Sequence, residues 1–156
     1  MERSEINRRT FLSAAGVGAA TLAGMPTLLE AADWSAAEKS NVAAVTGMCR
    51  AWVAPLDLEK IGSFLTEDCV YRPLETAAPI KGRQAIVEAL KKMLGSTSKA
   101  EFKVVQTFAR GPIVFNERFD SLAMPQRNIN WHGVGVFMVR DGKIAEWSDF
   151  TIRDEK

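Results

Sequence analysis

Residues 130–152 read NWHGVGVFMVRDGKIAEWSDFTI. Two apolar stretches, Asn130–Val139 and Lys143–Ile152, flank Arg140-Asp141-Gly142-Lys143. Asp-Gly between alternating apolar residues is a strong hairpin signal, because a tight two-residue turn needs positive φ at both central positions. The pattern predicts two long antiparallel strands. Glu101–Ala109 and Ile113–Leu122 alternate in the same way and are parted by Gly111-Pro112, which predicts two more. Gly133 and Gly135 predict bulges and coiling, so the sheet is expected to curve strongly.

Upstream the periodicity changes. Ser35-Ala36-Ala37-Glu38 has capping-box spacing, and Val42, Val45, Met48, Cys49 and Trp52 follow at helical intervals, ending before Pro55. Asp57 caps a short second helix carrying Leu58, Ile61, Phe64 and Leu65. Thr66-Glu67-Asp68 reads as a break before a short strand, Cys69–Arg72, which Pro73 stops. Thr76–Pro79 reads as loop. A third helix starts after Gly82, has Ile86, Leu90, Met93 and Leu94 on its apolar side, and is closed by Gly95. Helices first and strands after predict an α+β domain. Three helices would pack on a cone-shaped, strongly curved mixed or antiparallel sheet, leaving an apolar mouth for a small molecule.

A chain of 156 residues supports one such domain and a tail. The net charge of +1 gives no broad case for binding nucleic acid. His132 is the only histidine, which argues against a multi-histidine metal site or a Ser/His/Asp arrangement, and it is expected to be structural and buried. Cys49 and Cys69 lack CxxC spacing; they read as buried small hydrophobes that could pair only if the fold brings them together. Trp34, Trp52, Trp131 and Trp147 read as core, since no basic stripe accompanies them.

Residues 1–34 stand apart. Arg8-Arg9-Thr10-Phe11-Leu12 leads into an uncharged, Ala- and Gly-rich run to Leu29. This resembles a twin-arginine export signal, with Asn7 in the place of the usual Ser or Thr. The alternative is a membrane anchor, for which the run is long enough but weakly hydrophobic. The expectation is a signal and linker over 1–34, a folded domain over 35–156, passage through the twin-arginine translocation machinery, and a periplasmic or extracellular location.

Residues 114–122, VFNERFDSL, raise the question of function. Alternation along a strand puts Asn116, Arg118 and Asp120 on one face and Glu117 on the other. If the first face meets solvent, Arg118 and Asp120 form an ordinary surface pair. If it lines a pocket, a cation and a carboxylate are buried together, which is costly without good partners. In the last strand Asp149 shares a face with Trp147, the face expected to be buried. Two carboxyls about one guanidinium cannot both be fully neutralised, so one can keep its proton near neutral pH while the other ionises. Such a split supplies a general acid and a general base without a metal. Tyr71, the only tyrosine, could hold a water or a substrate oxygen.

Glu117-Arg118-Phe119-Asp120, Gly135-Val136-Phe137, Asp141-Gly142-Lys143-Ile144, Trp147-Ser148-Asp149, and Leu65-Thr66-Glu67-Asp68 leading to Tyr71 resemble the limonene-1,2-epoxide hydrolase family. That family lies in the nuclear transport factor 2-like, SnoaL-like superfamily. The resemblance covers most of residues 36–153, and its specific part is Arg-x-Asp with the later Trp-x-Asp. It implies that Asp149 activates a water, Asp120 protonates the epoxide oxygen, Arg118 bridges them, and Tyr71 helps hold the water. It implies no cofactor and no metal, a small apolar substrate, and a homodimer. Glu117, on the outer face by strand alternation, is a candidate for a subunit contact. The family's second water-holding residue, an asparagine two positions after the tyrosine, is Pro73 here. Proline offers no side-chain donor or acceptor; Asn116 is the candidate to supply the amide. Pocket size is expected to depend on Leu74, Ile80, Leu122, Met124, Phe137 and Met138. Two other functions remain open: an isomerase or cyclase of ketosteroid isomerase type on the same cone, and a non-catalytic carrier of a small apolar ligand.

Overall fold

The computed structural model describes residues 34–152; the twin-arginine stretch lies outside them. Helix α1 spans Ala36–Arg50. Its capping box forms as expected, with the Ser35 hydroxyl accepting from the Glu38 N–H and the Glu38 carboxylate accepting from the Ser35 N–H. Val45, Met48 and Cys49 are its buried side, and Trp52 extends that side past the helix end. Asp57 caps the short α2, Leu58–Ser63, through the Lys60 N–H. Helix α3, Arg83–Leu94, buries Ile86, Val87, Leu90 and Leu94. Met93 is half exposed instead of packed. Gly95 ends α3 in the right-handed region, at φ −61°, so it does not act as a left-handed cap.

Six strands form one mixed sheet in the order β2-β1-β6-β5-β4-β3. They are β1 Leu65–Arg72, β2 Ile80–Lys81, β3 Lys99–Arg110, β4 Ile113–Met124, β5 Arg127–Arg140 and β6 Lys143–Thr151. β3 through β6 form the expected antiparallel run. β1 joins β6 in parallel. The hairpin turn has φ 51° at Asp141 and 73° at Gly142, the two positive values that the Asp-Gly pair predicts.

Two expectations need correction. Thr66-Glu67-Asp68 is not a break: β1 runs through it, and the irregularity is in the pairing with β6, between Leu65 and Val70. The exposed Glu67 and Asp68 carboxylates are instead satisfied sideways, by Arg83 and Arg140. Gly133 and Gly135 carry no bulge, since β4 and β5 pair in continuous register past both. The register shifts fall elsewhere, between Val104 and Gln106 and between Met138 and Val139.

The sheet's inner face and the helices share one core, in which Val45, Met48, Trp52, Ile61, Leu65, Ile86, Val114, Phe137, Ile144 and Trp147 are buried. Cys49 and Cys69 are buried and free. His132 departs from expectation: it is about a quarter exposed on the other face of the sheet, stacked on Phe119 at 4.1 Å and in contact with Glu117.

Candidate active site

Every second residue of β4 enters the inner face, and the alternation delivers Val114, Asn116, Arg118, Asp120 and Leu122 there, all buried. β6 delivers Trp147 and Asp149 by the same rule. Five strands away in sequence but adjacent in the sheet, β1 places Tyr71 opposite Trp147, and the two rings stack at 4.0 Å. The surface-pair reading of Arg118 and Asp120 therefore does not describe the structure: Arg118 is 1% exposed, Asp120 6% and Asp149 5%.

Arg118 bridges the two carboxyls. Its Nε donates to both oxygens of Asp120, at 3.1 and 3.0 Å, and its Nη2 donates to Asp149 Oδ1 at 2.7 Å. Trp147 Nε1 donates to the same Oδ1 at 2.8 Å. Asp149 Oδ2 is left with one long contact, the Tyr71 hydroxyl at 3.5 Å. The two carboxyls thus differ in kind. One oxygen of Asp149 is saturated and the other is turned to the tyrosine, while Asp120 receives only a single, shared N–H. Strong donors favour the charged form. By donor count Asp149 is the better site for the negative charge and Asp120 for a proton.

Burial pushes the Asp120 carboxyl up to about 7, against the lowering effect of Arg118. Asp149 is pushed up by the same cause, opposed by Arg118, Trp147 and Tyr71. Burial also works against the charge on Arg118, but Asp149 and Asp120 outweigh it and hold the guanidinium charged. Tyr71, raised well above its ordinary range by burial and by Asp149, keeps its proton and acts as a donor. With one proton between the carboxyls the trio is neutral; with none it would bury a net negative charge.

Asp120, Asp149 and Tyr71 line a cavity of about 250 Å³, otherwise walled by Trp52, Pro73, Leu74, Leu90, Met93, Leu94, Phe102, Leu122, Ile129 and Trp131. Both indole N–H groups in that wall are already engaged, Trp52 with the Met48 sulfur and Trp131 with the Thr151 hydroxyl. The polar groups left to meet a ligand are two carboxyls and a phenol. Of the residues expected to set the pocket's size, Leu74 and Leu122 line it. Phe137 is fully buried in the core, Ile80 and Met124 pack against the core, and Met138 lies on the other side of β5 from Phe137. Asn116 is not in the wall. Its oxygen accepts from Arg118 Nη1 at 3.2 Å and its amide reaches the Cys49 sulfur at 3.5 Å, so its side chain supports the guanidinium from behind. The hydrogen bond from Trp147 to Asp149 was not foreseen as functional, although its signal, an indole two residues before an acid on one strand face, is in the sequence.

The sequence profile of the SnoaL-like domain matches residues 45–147. Epoxide hydrolase EphG of Mycobacterium tuberculosis is 30% identical over 94 residues, which span 60% of this chain and 62% of that protein, less than two thirds of its length. An LEH-like epoxide hydrolase structure from M. tuberculosis superposes with a TM-score of 0.65 at 27% identity, covering 74% of this chain and 84% of that one. A candidate SnoaL-like polyketide cyclase from Shewanella denitrificans gives 0.65 at 16% identity, covering 72% and 90%, a likeness of fold alone. With the matched profile spanning most of the folded region, from α1 to the Trp147 of β6, the chain belongs to the SnoaL-like domain family.

Proposed function

We propose that the protein hydrolyses a small apolar epoxide to a diol without a metal or organic cofactor. One observation carries the reading: a single guanidinium joins two buried carboxyls of unequal surroundings at the wall of an apolar cavity. A buried ion pair of this kind is a poor device for stability, because desolvation offsets most of the attraction. Its unequal donors suit acid and base chemistry. The likeness to an M. tuberculosis epoxide hydrolase in sequence and to an LEH-like epoxide hydrolase in structure supports the same assignment.

In the proposed cycle a water lies between the Tyr71 hydroxyl and Asp149 Oδ2. Asp149 removes a proton as the water oxygen attacks an epoxide carbon. The ring C–O bond breaks, and Asp120 gives its proton to the departing oxygen, which becomes the second hydroxyl of the diol. The proton is then on Asp149 and the charge on Asp120. Arg118 touches both, so the charge moves within one neutral cluster, and return of the proton to Asp120 resets the site. Each positioned transfer contributes about 10²–10⁴-fold. A cavity of about 250 Å³ suits a small substrate, below the usual range of roughly 300–1,000 Å³ for ligand sites.

Purified protein should be assayed with a panel of small epoxides in oxygen-18 water. One labelled oxygen per diol is the expected result. Turnover of a Δ5-3-ketosteroid without epoxide hydrolysis would replace the reading with an isomerase, and ligand binding without turnover would replace it with a carrier. The proposal extends to assembly and location. The outer face of the sheet exposes Phe108, Ile113, Phe115, Phe119 and Phe150, each about two-fifths to one-half accessible. Such a patch fits a second copy of the chain, and sedimentation should give a dimer that Phe115→Glu dissociates. Residues 1–34 would direct export, and Arg8→Lys with Arg9→Lys should leave the protein in the cytoplasm.

A further inference from the structure

Arg118 lies where three strands run side by side. β3 sets Phe102 opposite Asp120 on one flank, and β5 sets Trp131 opposite Asp120 on the other. Both rings reach the arginine. Its Cζ lies over the Phe102 ring, 4.9 Å from the centroid, and over the Trp131 ring, 4.8 Å from the centroid. Each ring is held in turn. Trp131 Nε1 donates to the Thr151 hydroxyl at 3.1 Å, and Phe102 stacks on Trp52 at 4.2 Å with 7° between planes.

The room for this arrangement comes from the two glycines of β5. Gly133 stands opposite Arg118 in the register. A Cβ there would fall 2.1 Å from Cζ2 of Trp131. A Cβ on Gly135 would fall 2.1 Å from Nη1 of Arg118. One glycine admits the indole and the other admits the guanidinium, so their role is volume.

We propose that Phe102 and Trp131 are positioning residues, an aromatic clamp admitted by Gly133 and Gly135 that fixes the plane of the Arg118 guanidinium and so holds Asp120 and Asp149 in register for proton transfer. This rests on the hydrolytic reading for its catalytic consequence, though not for its geometry. The donors of a guanidinium all lie in its plane, and its two faces have none. Aromatic faces cover those surfaces without leaving a donor unpaired, and attract the cation through the ring quadrupole. Tilting the plane would pull Nη2 from Asp149 and Nε from Asp120 together. Apolar bulk alone would exclude water equally well but would provide neither flatness nor the attraction.

The test compares Trp131→Leu, which keeps apolar bulk, with Trp131→Phe, which keeps a ring face. The first readout is the Arg118 Nε–Hε resonance in nitrogen-15 NMR of the whole protein. Ring currents should shift it upfield in the wild type, and burial should slow its exchange with water. Trp131→Leu should move it downfield and speed exchange about tenfold or more, and Trp131→Phe should restore both. The second readout is kcat on an epoxide, expected to fall about tenfold in Trp131→Leu and to recover to within about threefold in Trp131→Phe. KM will change in both variants, because Trp131 also lines the cavity, so the clamp is read from kcat. If the wild type turns over no epoxide, the hydrolytic reading fails and the resonance alone decides the clamp. Should Trp131→Leu fail to fold, Phe102→Leu tests the other flank by the same resonance. An Arg118 signal indistinguishable from wild type in the leucine variant, or a phenylalanine variant no better than leucine, overturns the proposal.

Discussion

Strand β4 carries two polar clusters one residue out of phase, and they have opposite characters. Arg118 faces inward, 1% exposed, and binds Asp120 and Asp149. Glu117 faces outward, about a quarter exposed, and binds His132 at 2.8 Å and Gln106 at 2.8 Å. The His132 and Gln106 hydrogen bonds lower the Glu117 pKa, whereas burial raises that of Asp120 to about 7. The same side-chain chemistry, moved through the sheet, changes from a carboxylate that is content to be charged into one that resists it. Within one copy of the chain, a partly exposed face on one side and an apolar cavity on the other make the difference. Of these two β4 carboxyls, the one that can hold a proton near neutral pH is on the inner face.

The strongest way to break this comparison is Asp149→Asn. The change leaves an oxygen for Arg118 and Trp147 but removes the base. It also leaves Arg118 with one carboxyl, so Asp120 ionises and ceases to be an acid. Turnover should fall by about 10³-fold or more, with the far-UV spectrum and thermal midpoint close to wild type. Hydrolysis at the wild-type rate would remove Asp149 from the mechanism.

Asp120→Asn should cost about 10²–10³-fold in kcat, and it also tests the cost of the buried acid. A carboxyl whose pKa is raised on folding binds its proton more tightly in the folded state. The stability it contributes is complete below the unfolded value, near 3.8, and is lost as pH rises through about 7. Asp149 is pushed in the same direction. Wild-type protein should therefore lose stability between about pH 4 and pH 7, and kcat should fall above about pH 7 as the acid ionises. Asp120→Asn should flatten that stability slope and raise the thermal midpoint at pH 8 by a few degrees. An unchanged slope in chemical denaturation would show that Asp120 is ionised in the fold at neutral pH.

Much of this contrast is legible in residues 113–152. A period of two assigns Arg118 and Asp120 to one face and Glu117 to the other, and the Asp141-Gly142 turn sets the pairing that brings Asp149 to the same face. Two kinds of information were out of reach. Which face the helices would cover depends on packing between segments far apart in sequence, so a surface pair and a buried trio look alike along β4. The glycines misled for a related reason. Backbone freedom is the usual meaning of glycine in a strand, but Gly133 and Gly135 are there because Trp131 and Arg118 fill the space of the missing side chains. That is a property of neighbouring strands, and no local pattern records it. Thr66-Glu67-Asp68 suggests a turn because polar residues come in a run, whereas here the strand continues and Arg83 and Arg140 satisfy the acids.

A smaller effect should sharpen the inner half of the comparison. Pro73 lines the cavity just beyond β1, and neither it nor Asn116 offers an amide to a water at Asp149. A buried water ordinarily makes about three hydrogen bonds. Tyr71 and Asp149 supply two. Pro73→Asn adds a candidate third, and kcat should rise by up to about tenfold with little change in KM. Combining it with Asp149→Asn should abolish the gain. No gain in the single variant would mean that the water needs no contact from that side.

Glu117→Gln should have the least effect, and for that reason it tests the outer half. The pair with His132 is partly solvated, and such pairs contribute about 1 kcal/mol or less. Glutamine keeps an oxygen for the imidazole, while Gln106, whose amide donates to Glu117, must turn its own oxygen to accept from the new amide. Stability should change by less than about 1 kcal/mol, and kcat and its pH profile should stay at wild type. Added salt should narrow what difference remains, because exposed charges are screened within about 8–10 Å. The Asp120 variant should show no such salt dependence, since ions do not reach a carboxyl that is 6% exposed. If Glu117→Gln instead shifted the pH profile, the two faces of β4 would be electrostatically coupled through the sheet, and the inner cluster could no longer be treated as a closed system of two carboxyls and one guanidinium.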